Sequence, residues 1–205
     1  MREARVDQAS GLRQLFGAMS WRRPVCFLAP DPALAKAGVL SLADGLASYG
    51  IAATVDGRDG THDAPGLRLF DDPRRLDAAA RIAGGIDLVV QGSADPDGIT
   101  DLYRDVKRLA GAHRIDRLAI MLTGSVETRT GERCRVNLAS ALERFLGARV
   151  DAWAALGAGR VLRRAAQVGA SVQSLDREGD ESREFDRLAG HLAGGLTPRM
   201  EPASH

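Results

Sequence analysis

The chain has 205 residues, 44% of them apolar and 27% charged, which suits one soluble domain with short appendages. Its formal net charge of +1 supplies no bulk field toward nucleic acid or anionic lipid, so no nucleic-acid partner is expected. Two cysteines without metal spacing and four scattered histidines give no zinc site, and no apolar stretch nears the ~18 residues of a membrane span. With no signal-peptide pattern at the start, a cytoplasmic protein with reduced, buried thiols at Cys26 and Cys134 is expected.

Residues 1–20 read as a separate helix. Asp7 can cap it, and Ala9, Leu12, Leu15, Phe16 and Met19 recur at helical spacing, with Arg13 and Gln14 on the other side. Two roles are open: the helix packs on its own domain, or it is a recognition helix that lays its stripe in a partner's groove. Trp21-Arg22-Arg23-Pro24 ends it and leads into residues 24–29, a short and wholly apolar strand.

Residues 33–49 follow as a helix with Leu34, Val39, Leu42, Leu46 and Tyr49 along one side and Gly50 at its end. A second strand, 51–55, completes a βαβ unit. After a Gly/Asp-rich loop, 56–65, comes a strand at 67–70, then Asp71-Asp72-Pro73 opening a helix over 74–83 that stops at Gly84-Gly85. Residues 86–90 form the next strand. Asp95-Pro96 starts a helix carrying Ile99, Leu102, Tyr103, Val106 and Leu109.

A strand at 118–122 precedes a helix over 132–146 expected to bury Val136, Ala139, Leu142 and Phe145. The last strand is 150–155, with helices around 161–167 and 182–192, the latter turning Phe185, Leu188 and Leu192 inward. The division is a helix at 1–20, an α/β domain at 21–193 and a disordered tail at 194–205. Such alternation with continuous apolar strands predicts a doubly wound, mostly parallel sheet with helices on both faces.

In folds of this class the loop after the first strand cradles phosphate through glycine N–H groups, a lysine and a hydroxyl. Here that loop reads Pro30-Asp31-Pro32-Ala33-Leu34-Ala35-Lys36, with no glycine, two residues lacking an N–H, and a carboxylate. Its position suits a phosphate and its chemistry does not.

Three stretches together resemble a known family. Asp7-Gln8-Ala9-Ser10-Gly11-Leu12-Arg13-Gln14-Leu15 resembles the DQAxxLRxL signature of the flagellar-number regulators FlhG/FleN, within the MinD/ParA group of deviant-Walker ATPases. Asp87-Leu88-Val89-Val90 with the run from Asp95 to Tyr103 resembles that family's strand–loop–helix segment, and 135–146 with 163–167 is similar to its C-terminal portion. The resemblance implies a P-loop-NTPase-like (MinD/ParA-like) α/β fold preceded by an N-terminal helix.

It also implies where a nucleotide site would lie. Lys36 falls near the family's phosphate lysine, Asp56 near the carboxylate after the second strand, and Asp71 near the switch carboxylate. Without the glycine cradle and a hydroxyl for magnesium, these three form a vestigial site, with turn and cap roles for the two aspartates. The chain is therefore expected to be a non-catalytic regulator with no cofactor and no metal, a monomer or an ATP-independent dimer. Its partner by resemblance is a FlhF-type GTPase or another flagellar assembly protein, bound through Asp7, Gln8, Ala9, Leu12, Arg13, Leu15 and Phe16. The alternative is an active ATPase with an atypical phosphate loop, using Lys36 with Asp56 or Asp71 and Mg·ATP.

Overall fold

A computed structural model describes residues 23–56, 66–124, 126 and 128–194. The expected helix over 1–20, most of the 56–65 loop and all but the first residue of the tail lie outside them. Six strands, β1 (Arg23–Leu28), β2 (Ala53–Val55), β3 (Leu67–Phe70), β4 (Ile86–Ser93), β5 (Ile115–Thr123) and β6 (Val150–Ala155), form one sheet in the order β2-β3-β1-β4-β5-β6. Every pairing is parallel, with Val25 of β1 set between Leu69 of β3 and Asp87 of β4.

The helices are α1 (Pro32–Ser48), α2 (Asp77–Ala83), α3 (Pro96–Ala112), α4 (Arg129–Leu146), α5 (Arg160–Val168), α6 (Val172–Leu175) and α7 (Asp180–Gly194). Strand side chains alternate between faces, so each central strand feeds two cores. On one face Val25 and Phe27 meet α1, α5, α6 and α7 through Leu42, Leu162, Val172 and Phe185. On the other, Cys26 and Leu28 meet α2, α3 and α4 through Ala80, Val106 and Leu142. Continuous apolar strands follow from that double coverage.

The first βα unit is packed without slack. A Cβ on Gly38 of α1 would stand 2.3 Å from Phe27 Cζ, so glycine is what lets the helix lie on β1. The Phe27 ring in turn stacks on Phe185 of α7, centroids 6.3 Å apart.

Two expectations need correction. The helix after β3 does not begin at 74: a 3-10 turn, Pro73–Arg75, comes first, buried Leu76 follows, and α2 starts at Asp77. The cap of that turn is Asp72, which accepts from Arg74 N–H at 3.0 Å, and not Asp71. In α4 the buried stripe is Gly131, Leu138 and Leu142, whereas Val136 is 51% and Phe145 65% exposed. Val136 lies two residues, ~200°, round the helix from Leu138. Phe145 sits in the final turn, its ring under the Arg144 guanidinium at 5.3 Å instead of on the sheet.

At the amino end of the sheet, Asp87 is wholly buried. Arg23 of β1 reaches it at 2.6 Å and Arg117 of β5 at 2.9 Å. Arg117 also donates to the carbonyls of His191 and Leu192, closing the C-terminal end of α7 onto β5.

Candidate functional site

β1 hands its chain to α1 on one face, while β3 hands its chain to the 3-10 turn and α2 on the other. Loops that leave adjacent strands in opposite directions open a crevice at the strands' carboxyl ends, the place where doubly wound sheets bind ligands. A cleft of ≈ 620 Å³ lies there, between α1, the ends of β1, β2 and β3, and α3. Lys36, Asp56 and Asp71 all line it, so three residues distant in sequence share one wall.

Their surroundings differ. Asp56 has only 11% of its side chain exposed, and Arg68 donates to it at 2.5 Å with Arg75 at 3.7 Å. Two guanidinium groups thus take up the carboxylate that a metal would need. Asp72 is held by Arg74 at 2.9 Å, and Arg108 by Asp105 at 3.1 Å. The side-chain and backbone hydrogen bonds from Arg74 hold the Asp72 carboxyl below the usual carboxylate range. The side chains of Lys36 and Asp71 make no hydrogen bond or ion pair with any described residue.

Beneath the cleft, burial pushes the Cys26 thiol up to about 12, with the charges of Asp72 and Asp71 adding to the effect and Arg108 opposing it. Such a thiol is inert at neutral pH. No group of three or more His, Cys, Asp or Glu suited to a metal is present among the described residues.

The helix N-termini at this edge would be the natural anion sites, because their first N–H groups lack intrahelical partners. In α1 those groups are taken from within: Asp31 Oδ1 accepts from Ala33 N–H at 2.6 Å and from Leu34 N–H at 3.4 Å. Pro30 and Pro32 have no N–H to offer. The loop from β1 to α1 is three residues long, too short to wrap an anion.

The same solution recurs on α5, which begins after Gly159 with no cap of its own. Glu181, carried by α7, supplies both oxygens: Oε1 accepts from Val161 N–H at 3.1 Å and Oε2 from Leu162 N–H at 2.8 Å. Sequence reasoning missed this residue, since nothing local marks a cap that arrives from another helix. It also missed Gln91, 6% exposed at the end of β4, whose amide donates to the Gly92 carbonyl and the Thr123 hydroxyl. The proposed contact residues Asp7, Gln8, Ala9, Leu12, Arg13, Leu15 and Phe16 lie outside the described residues.

No protein-family model and no curated protein matches the chain. Solved structures do. The cell division ATPase MinD of Pyrococcus furiosus gives a TM-score of 0.57 at 12% identity, covering 84% of this chain and 98% of that one. The septum site-determining protein MinD of Pyrococcus horikoshii OT3, solved in complex with Mg-ADP, gives 0.56 at 12% identity over 87% and 100%. The MinD cell division protein of Aquifex aeolicus gives 0.55 at 13% over 87% and 100%. At these identities the likeness shows the fold: a parallel sheet wound as in MinD.

Proposed function

We propose that this chain is a regulatory protein on a MinD-type scaffold that works by protein–protein contact and does not turn over ATP. The observation supporting this reading is the carboxylate of Asp31 on the N–H groups of Ala33 and Leu34, where a phosphate would otherwise bind. A nucleotide placed there would meet like charge and two prolines. Magnesium would meet Asp56 already engaged by Arg68 and Arg75, and Ala37 in place of a hydroxyl after Lys36. The residues present do not fit Mg·ATP in the manner of such folds.

The contact surface we assign is the segment from Asp7 to Phe16, on its resemblance to the FlhG/FleN signature, and the process is control of flagellum number and placement. Leu12, Leu15 and Phe16 anchor the helix on a FlhF-type GTPase, Arg13 pairs with a carboxylate there, and Gln8 orients the attacking water. The test is GTP turnover by the purified GTPase with wild-type protein, with Gln8→Ala and with residues 1–20 deleted. Stimulation by wild type that both variants lose supports the assignment; equal turnover in all three overturns it.

A second reading keeps the chain an ATPase, and its support is the cleft that gathers Lys36 and Asp71, whose side chains both lack a partner among the described residues. Steady ATP hydrolysis abolished by Lys36→Ala would establish that reading.

A further inference from the structure

Among the described residues β6 is the outer strand of the sheet, and no other described strand pairs with its outward side, which forms a groove. α4 and α7 stand on either side of it, enclosing ≈ 330 Å³ over Trp153 and Ala155, with Glu132 and Arg135 on the α4 rim and Glu184 and Arg187 on the α7 rim. Leu156 N–H donates to the Leu122 carbonyl at 2.8 Å, so by the alternation of a parallel ladder Trp153 and Ala155 turn their main-chain groups outward. Arg187 donates to the Trp153 carbonyl from that open side.

The rim charges are ordered. α7 runs against β6, from Glu181 at the carboxyl end of the sheet to His191 and Leu192 at Arg117, the amino end. α4 leads from β5 back to the start of β6 and runs the same way. On both helices the glutamate comes first and the arginine three residues later. The groove is therefore acidic toward the carboxyl end of β6 and basic below. Glu132 and Arg135 make no ion pair with each other or with another described residue; Arg135 instead stacks 5.6 Å over the Trp153 ring.

We propose that this groove receives the same groove of a second copy of the chain. Two β6 strands pair antiparallel about a two-fold axis normal to the sheet, joining two six-stranded sheets into one, without nucleotide. The charge order selects this occupant and this direction. Antiparallel pairing sets Glu132 against the partner's Arg135 and Glu184 against the partner's Arg187, whereas parallel pairing would set like against like. On α7, Arg187 also pairs with Glu184 of its own helix at 2.5 Å; a pairing strand takes over the Trp153 carbonyl, and Arg187 exchanges its own Glu184 for the partner's Glu184.

The test is sedimentation equilibrium of the full chain with and without Mg·ATP, on wild type and two charge variants. The acidic variant is Arg135→Glu/Arg187→Glu and the basic one Glu132→Arg/Glu184→Arg, each checked for fold by its far-ultraviolet spectrum and melting. Wild type is expected at twice the chain mass in both conditions. Each variant alone is expected to dimerise tenfold or more weakly, by about the worth of one good charge pair. An equimolar mixture is expected to restore a 1:1 heterodimer. A monomeric wild type would leave Arg187 as a guard of the strand edge and overturn the proposal, as would variants that dimerise alone as tightly as wild type, a mixture no tighter than either variant alone, or dimers that require nucleotide.

Discussion

Arg117 donates to the buried carboxylate of Asp87 at 2.9 Å, and the same guanidinium holds the last carbonyls of α7. Desolvation raises the Asp87 carboxyl above its ordinary range, with Arg117 the larger and Arg23 the smaller opposing influence. Breaking a buried pair by removing one partner costs ~3–5 kcal/mol, because a charge is left uncompensated. Arg117→Ala is expected to lose about 3 kcal/mol in urea unfolding at pH 7.

The cost should shrink in acid. A carboxyl raised in the folded state binds its proton there more readily than in the unfolded chain, so stability falls as pH climbs from the unfolded value through the folded one. Without Arg117 that rise is larger. Arg117→Ala should therefore be closer to wild type near pH 4.5 than at pH 7, measured by urea midpoints at both.

Asp31 contributes to stability as a cap whether or not its carboxylate also excludes phosphate. Asp31→Ala should cost ~1 kcal/mol, while Asp31→Ser, which keeps an acceptor, should cost less than half of that. Chemical denaturation distinguishes the two.

Gly38 and Phe27 are a coupled pair, since any Cβ at 38 enters the phenyl ring. Gly38→Ala should destabilise by about 1–3 kcal/mol, and adding Phe27→Leu should recover part of that loss. Additive costs in the double mutant would show that the two sites do not touch.

The two thiols should differ sharply. Cys26 is buried with its proton held up to about 12, whereas Cys134 on α4, expected to be buried too, is partly exposed. Titration with a chromogenic disulfide at pH 8 should consume one thiol in the native protein and two in denaturant.

Strands were legible where the physics is local. Residues 67–70 and 150–155 match β3 and β6 because apolar runs lie between turn-forming residues, and parallel pairing followed from the helices between them. Lys36, Asp56 and Asp71 were named through the resemblance alone, and they line one cleft because the carboxyl ends of β1, β2 and β3 lie side by side. What escaped was non-local. Arg68 and Arg75 claim Asp56 from two other elements, and Glu181 caps a helix from 20 residues away. The face of α4 was misjudged because few apolar residues mark it, and its neighbours, not its own periodicity, decide that Leu138 is covered and Val136 is not. The single turn α6 was missed because its cap, Ser171, precedes only four helical residues.

Isothermal titration of the full chain with Mg·ATP tests the central claim most directly. A scaffold whose α1 N-terminus is filled by its own Asp31 should give no saturable heat at millimolar nucleotide, and Asp31→Ser should behave the same. Stoichiometric, saturable binding that disappears in Lys36→Ala would contradict it.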